Sequence, residues 1–204
     1  MSPSPWQFGS AGRVRRVLAA DLDSLPWCES CSSRSVLSGD PAWALAAENE
    51  WGFCGVSIVS DGQTIAAALV SPALYVPRGH RLASAANADA AALLWLRVAD
   101  ERRGGNLGKQ LVQGLAARLA DQRNIQAIDA TCSTEGVCTA PAPAWLDKVG
   151  FHALSDGVRY RLDLAAAESW LSRQADVWRQ VSQALKPQRP PRPVTPSSRT
   201  SNQA

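Results

Sequence analysis

The sequence predicts a single α/β domain, and three observations predict it. Asp61-Gly62 separates two apolar, β-prone runs, Gly55 to Val59 and Thr64 to Tyr75, which is a strong local signal for an antiparallel hairpin. Ala90 to Ala99 is a nearly continuous apolar run, as expected of a central strand buried on both faces, and a glycine-rich turn leads from it into an amphipathic helix. Strand-like and helix-like segments alternate from Arg13 to Leu164 without an internal repeat. A chain of 204 residues with 46% hydrophobic content suits one compact domain rather than two small ones.

The elements follow in order. Residues 1–12 are rich in Ser, Pro and Gly and read as a flexible lead-in. Arg13 to Ala19 alternates as a short strand. Asp21 to Ser24 supplies acceptors for a helix start, with Pro26 in its first turn. Asp40-Pro41 reads as an N-cap with proline at the first helical position, and Trp43, Ala47 and Glu50 or Trp51 then recur at helical spacing. Pro72 marks an edge or a bulge near the end of the second hairpin strand. A loop from Val76 to Asp89 leads to the buried strand, and Leu111, Leu115, Ala116 and Leu119 share one face of the following helix. Ile125 to Cys132 is a further strand. Ser133 to Pro143 is a loop, and the short helix AWLDKV ends at Gly150, suited to a C-cap. Phe151 to Leu154 and Val158 to Leu164 pair through Ser155-Asp156-Gly157. Residues 165–186 carry an amphipathic helix that Pro187 ends, and 187–204 form a disordered Pro/Arg/Ser-rich tail.

Composition excludes several classes. No apolar run approaches the roughly 20 residues needed to span a bilayer. MSPSPWQFGSAGRVRR lacks a secretory core, so the expected location is cytoplasmic. The net charge of +3 is small, and lysine occurs only at Lys109, Lys148 and Lys186. The arginine bias suits a GC-rich coding genome better than a nucleic-acid surface. Five cysteines, an odd number without an export signal, argue against a disulfide framework.

The chemistry lies in Arg102-Arg103-Gly104-Gly105-Asn106-Leu107-Gly108-Lys109. A strand that feeds a glycine-rich turn into a helix N-terminus aims backbone N–H groups and a positive dipole end at one point, and small residues let a phosphate approach. Arg102, Arg103 and Lys109 add charge, while Glu101 reads as a strand-end cap. The segment fails the Walker pattern, because Arg103 stands at the first glycine and Gln110 follows the lysine. It also lacks the dinucleotide fingerprint and lies mid-chain after a hairpin.

In these residues the chain resembles the GNAT superfamily of acyl-CoA N-acyltransferases. That family holds the coenzyme A pyrophosphate on an R/Q-x-x-G-x-G/A turn, and Arg103 to Gly108 fits it with Asn106 at the middle glycine. Asn tolerates left-handed backbone better than most residues. Trp145-Leu146-Asp147-Lys148-Val149-Gly150-Phe151 is similar to the family's late LYEKLGF-type helix, and the resemblance covers Arg13 to Leu164. It implies a mixed, mostly antiparallel sheet flanked by helices and splayed between its fourth and fifth strands, with an added C-terminal helix here. It also implies acetyl-CoA as acyl-donor cosubstrate. The pantetheine amides would pair with the backbone of Leu96, Arg97 and Val98, and the pyrophosphate would rest on Arg103, Gly104, Gly105, Asn106, Leu107, Gly108 and Lys109. Direct attack of an amine on the thioester would follow, with sheet N–H groups holding the oxyanion. A further resemblance is to a GNAT subgroup with an N-terminal C-x-x-C.

The catalytic groups are less defined. The family's thiolate-donating tyrosine corresponds to Leu146, and Tyr75 and Tyr160 lie elsewhere in the pattern. Cys138 or Ser133 could donate instead. Asp129, Glu135, Glu48 and Glu50 are base candidates, and a water relay needs no fixed base. Cys28, Cys31, Cys54 and either Cys132 or Cys138 could supply four thiolates to zinc, although only Cys28-x-x-Cys31 is closely spaced; buried thiols are the plainer reading. His80 is placed to touch an acceptor, and His152 reads as a surface strand residue. Trp95, with Trp43 or Trp51, could line an acceptor pocket. The expected partner is a small-molecule or protein amine, with no membrane, nucleic acid disfavoured, and a monomer or homodimer. The rival reading is a GNAT-like coenzyme A-binding or protein-interaction module without turnover. A third is a basic tail that docks on nucleic acid or a partner protein.

Overall fold

The computed structural model describes residues 14–29 and 33–166. The lead-in, Cys31, the tail and the predicted C-terminal helix beyond Ala166 lie outside the described residues.

Seven strands form one mixed sheet in the order β1-β2-β3-β4-β5-β7-β6. These are β1 (Val14–Val17), β2 (Gly55–Ser60), β3 (Gln63–Pro72), β4 (Ala90–Val98), β5 (Ala127–Thr131), β6 (His152–Ala153) and β7 (Arg159–Asp163). Four α-helices accompany them: α1 (Ser33–Ser38), α2 (Ala42–Trp51), α3 (Leu107–Leu119) and α4 (Pro143–Lys148). Among the described residues, β4 and β5 are the only parallel neighbours; every other pair is antiparallel. The mixed, mostly antiparallel sheet that the sequence resemblance implies is therefore present.

The β2–β3 hairpin turns where Asp-Gly predicts it. Asp61 (φ 51°) and Gly62 (φ 79°) are both left-handed, the backbone a two-residue turn needs to match strand twist. Ala90 to Trp95 of β4 are buried, as its unbroken apolar run requires. Leu111, Leu115, Ala116 and Leu119 form the buried face of α3, which packs on β2, β3 and β4. Gly114 lets α3 approach the sheet's first strand, since a Cβ there would stand 2.7 Å from Val14 Cγ1.

Several boundaries move. The helix expected from Asp21 is a 3-10 turn, Ala19–Ser24, that ends before Pro26; the Asp21 carboxylate accepts from Leu18 N–H at 2.9 Å. Helix α2 starts one residue late, with Pro41 at the cap and Asp40 Oδ1 accepting from Ala42 N–H at 3.0 Å. Strand β3 stops at Pro72 because Ala73–Tyr75 coil into a 3-10 turn. It is an interior strand, so Pro72 marks its end and not a sheet edge. A register shift lies nearby, between Leu69 and Val70.

Candidate functional site

The site grows from the point where β4 and β5 part. Their ladder has three pairs, Ala90 with Ala127, Ala91 with Ile128 and Ala92 with Asp129, and β4 then runs on to Val98 without β5 beside it. At the parting, β4 carries an extra residue: Val70 faces Leu93 and Leu69 faces Trp95, so Leu94 bulges. His80 pins this bulge. Its Nδ1 accepts from Leu82 N–H at 3.2 Å, which leaves Nε2 as the N–H that donates to the Leu94 carbonyl at 2.9 Å. Burial lowers its pKa; the bond to Leu94 opposes that shift and Arg81 adds to it. His80 is thus a neutral post in the strand support and not an exposed acceptor contact, which corrects the expectation.

Beyond Val98 the chain makes a 3-10 turn, Asp100–Arg102, and enters the glycine turn. Gly104 has φ 83° and Asn106 has φ 58°. Asn106 therefore holds the left-handed backbone expected of the middle glycine and serves as N-cap of α3. The N-terminal N–H groups and positive dipole end of that helix open beside the turn. Arg103 is drawn to Asp100, Nη2 to Oδ1 at 2.6 Å, and Arg97 Nη2 approaches the other Asp100 oxygen at 3.3 Å.

Gly108 has a second reason to be glycine. A Cβ there would stand 2.9 Å from Trp145 Cζ2, so the start of α3 is seated against α4 through an indole. Leu146 is fully buried in the core, and it is Trp145 and Lys148 of α4 that reach the cavity.

That cavity encloses about 510 Å³ between the free part of β4, the glycine turn, the 135–142 segment and α4. Of the residues expected to hold coenzyme A, Leu96, Arg97, Val98, Arg103, Gly104, Asn106, Leu107, Gly108 and Lys109 line it and Gly105 does not. Arg102 and Lys148 bring the lining cations to five, with Glu135 as the lining carboxylate. The lining is predominantly cationic. Burial lowers the Arg97 pKa, but the Cys138 hydrogen bond and the nearby Cys28, Cys138 and Asp100 outweigh it, so the net shift is upward. The charge of Arg97 is secure. Asp100, which pairs with two lining arginines, and the lining residues Trp145 and Lys148 have no sequence signal of their own. The Arg97/Asp100/Arg103 spacing, three residues each way, is the one trace that points to the first of them.

The other candidates scatter. Asp129 is 1% exposed and committed elsewhere. Its Oδ2 accepts from Asn87 N–H at 3.2 Å and Nδ2 at 2.7 Å, and its Oδ1 faces Arg161 at 3.4 Å, so it ties the 76–89 loop to the sheet and does not line the cavity. Both carboxylate oxygens are engaged away from the cavity. Glu48 accepts from Ala19 N–H at 2.9 Å, and Glu50 lies exposed on α2 away from the cavity. Glu135 and Cys138 remain at the cavity, and Cys138 Sγ lies 3.8 Å from Arg97 Nη1. Trp43, Trp51 and Trp95 are buried packing residues outside the cavity; Trp95 lies against Trp27 with ring centroids 4.8 Å apart. His152 is exposed on β6 and 3.9 Å from Asp163, as a surface strand residue should be.

Among the described residues, the cysteines of the candidate zinc set do not gather into a group of three. Cys54 is fully buried, donates to the Val17 carbonyl at 3.4 Å, and has its thiol pushed up to about 12 by burial first and Glu48 second. Cys132 is buried against the Gly157 carbonyl. Cys31 lies outside the described residues. Among the described residues, no group of three or more His, Cys, Asp or Glu is placed to hold a metal ion.

The molecule is thus a splayed α/β sheet with a cationic cavity at the turn after its fourth strand. No protein-family model matches the chain, and no curated protein matches it. Solved structures do. The chain is similar to the GNAT family N-acetyltransferase YhbS from Escherichia coli in complex with CoA, at 17% identity over 80% of this chain and 86% of that one, with a TM-score of 0.46. It is similar to the PaiA N-acetyltransferase from Thermoplasma acidophilum in complex with coenzyme A, at 13% identity over 74% and 98% of the two chains and a TM-score of 0.47. It is also similar to the GphF GNAT-like decarboxylase in complex with isobutyryl-CoA, at 17% identity over 74% and 99%, with a TM-score of 0.49. Likeness at this level concerns the course of the chain.

Proposed function

We propose that the chain is a GNAT-type N-acyltransferase that takes an acetyl group from acetyl-CoA and passes it to a primary amine. The observation that carries this reading is the continuity of one surface. The part of β4 beyond its ladder with β5, Leu96 to Val98, leads through a 3-10 turn to Gly104 and Asn106, and five cations line this surface. A pantetheine arm fits the first part as an added strand, and a pyrophosphate fits the second. Arg103, Lys109 and the α3 N-terminus would hold the phosphates, with Arg102 and Lys148 at the sides.

The chemistry asked of the protein is modest. A neutral amine forms a bond to the thioester carbon, an N–H of β4 stabilises the oxyanion, and the carbon–sulfur bond breaks as thiolate leaves. Glu135, exposed at the cavity, is the carboxylate available to accept the amine proton through water.

Calorimetric titration with acetyl-CoA tests the reading. The unmodified protein should bind, and the Arg103→Glu/Lys148→Glu pair should bind at least about tenfold more weakly, the scale of losing charge-assisted hydrogen bonds. Unchanged affinity in the double variant would remove the phosphates from this cavity. Replacing Gly108 is a poorer test, since any side chain there strikes Trp145.

The burial of Leu146 at the position of the family's tyrosine favours a second reading, a coenzyme A-binding module without turnover. Release of free coenzyme A thiol in the presence of a panel of small amines and amine-terminated peptides separates the two. Binding without release supports the module.

A further inference from the structure

The loop between β5 and α4 closes on itself as a small hairpin. Val137 N–H donates to the Ala140 carbonyl and Ala140 N–H to the Val137 carbonyl, both at 3.0 Å, with Cys138 and Thr139 at the tip. The tip spans the gap between the parted strands. On one side, the Cys138 carbonyl accepts the Leu96 N–H of β4 at 2.8 Å, and Cys138 Sγ rests 3.8 Å from Arg97 Nη1. On the other, the Thr139 carbonyl accepts the hydroxyl of Thr131, the last residue of β5, at 3.3 Å. Leu96 N–H is one of the strand groups that an added pantetheine would use, and here the chain's own carbonyl holds it.

We infer that the Val137–Ala140 hairpin tip is a built-in occupant of the pantetheine slot, which acyl-CoA must displace to reach β4. The inference rests on the proposed coenzyme A cavity and goes beyond it. The nucleotide end of the ligand meets only the glycine turn and its cations, so it binds with the hairpin in place. The pantetheine end exchanges one carbonyl on Leu96 N–H for another, so the strand keeps its bond and the hairpin loses its own. The polar count at Leu96 stays satisfied in both states, which is what makes the exchange reversible. Affinity for the whole ligand is reduced by the fraction of molecules whose hairpin is closed.

Amide hydrogen exchange on the full chain tests this with two probes. One is acetyl-CoA; the other is adenosine 3′-phosphate 5′-diphosphate, the nucleotide half without pantetheine. Acetyl-CoA should raise exchange at Val137 and Ala140 by about tenfold or more while Leu96 stays protected, and the nucleotide half should leave all three unchanged. A Val137→Pro variant, which removes one of the two hairpin bonds, should bind acetyl-CoA about fivefold more tightly, the equivalent of one net hydrogen bond, and the nucleotide half no differently. If both probes bind and Val137 and Ala140 stay protected with acetyl-CoA, the displacement is wrong while the cavity stands. If neither probe binds the wild type or the variant, the coenzyme A reading falls and takes this inference with it. Binding of acetyl-CoA only after Val137→Pro supports a hairpin that closes the slot outright.

Discussion

A glycine can look like a phosphate contact and be a packing requirement, and Gly108 is both by position. Its missing side chain leaves room for the Trp145 ring, so Gly108→Ala should cost about 1–3 kcal/mol of stability by overpacking. Trp145→Leu in the same chain should recover much of it, and thermal melts of the single and double variants check the pair. Asp129 shows the reverse confusion. A carboxylate on a strand beside the site reads as a base in the sequence, but its oxygens bind Asn87 and Arg161 in the interior. Asp129→Ala should destabilise the fold by about 1–3 kcal/mol, because it leaves the Asn87 backbone and side-chain donors without their acceptor, while Arg161 keeps Asp89 and Asp163. Acetyl-CoA affinity per folded molecule should not change, and chemical denaturation beside calorimetry separates the two effects. His80 gives a pH signature. Its native pKa is held below the ordinary value, so the unfolded chain takes up a proton first as pH falls below about 6.5. Stability should decline with acidification from there down to the native pKa, and His80→Gln should lack that part of the slope in melts from pH 7.5 to 5.

Elements, more than single residues, were legible in the sequence. Asp61-Gly62 announced its hairpin because turn geometry is local, and the glycine turn announced itself because Asn106 is among the few residues that accept positive φ. The late helix and its Gly150 exit, with φ 102°, were equally local. The 133–142 segment was legible only as a loop, since the contact of Cys138 with Leu96 exists only after β4 and β5 have been brought together and parted. No periodicity encodes it. Asp100 escaped for a related reason: its partners Arg97 and Arg103 converge only because the chain turns between them. At this scale the β4–α3 turn carries its own prediction. Asp100 is an exposed anion beside a cationic site, so it competes with phosphate for both arginines. Asp100→Asn should tighten acetyl-CoA binding about threefold to fivefold at low salt. The gain should shrink toward none at high ionic strength, where exposed charges are screened.

Across the whole molecule, acid should act in two stages. Protonation of His80 in the unfolded chain comes first, below about pH 6.5. The carboxylates come later. Asp89 is held below the ordinary range by its hydrogen bond to Arg161, and Asp156 is pulled down to about 2 by the Arg159 backbone and guanidinium. Groups with depressed native values contribute stability above their unfolded pKa, near 3.9, and lose it as pH falls through the native one. A stability–pH curve with two separate descents, the upper one absent in His80→Gln, is the expected result. Removal of residues 187–204 should leave acetyl-CoA binding unchanged, and any loss would return the basic tail to consideration as a working part.

The three-pair ladder between β4 and β5 also divides the molecule mechanically. One leaf, β1 to β4 with α2 and α3, is closed by long antiparallel ladders, and the other, β5 to β7 with α4, is short. Besides those three pairs, the leaves are stitched by Asn87 to Asp129, Asp89 to Arg161 and the Ala85 carbonyl to Arg159, from the loop that precedes β4, and by Leu96 N–H of β4 to the Cys138 carbonyl. A seam of this kind is where a sheet yields first, so the later leaf forms a cooperative unit that opens below the global unfolding free energy. A ligand whose phosphates sit on one leaf and whose other side faces α4 would then work as a rivet. Slowed exchange across β5 and β7 together, far from any atom it touches, is how that rivet would be felt.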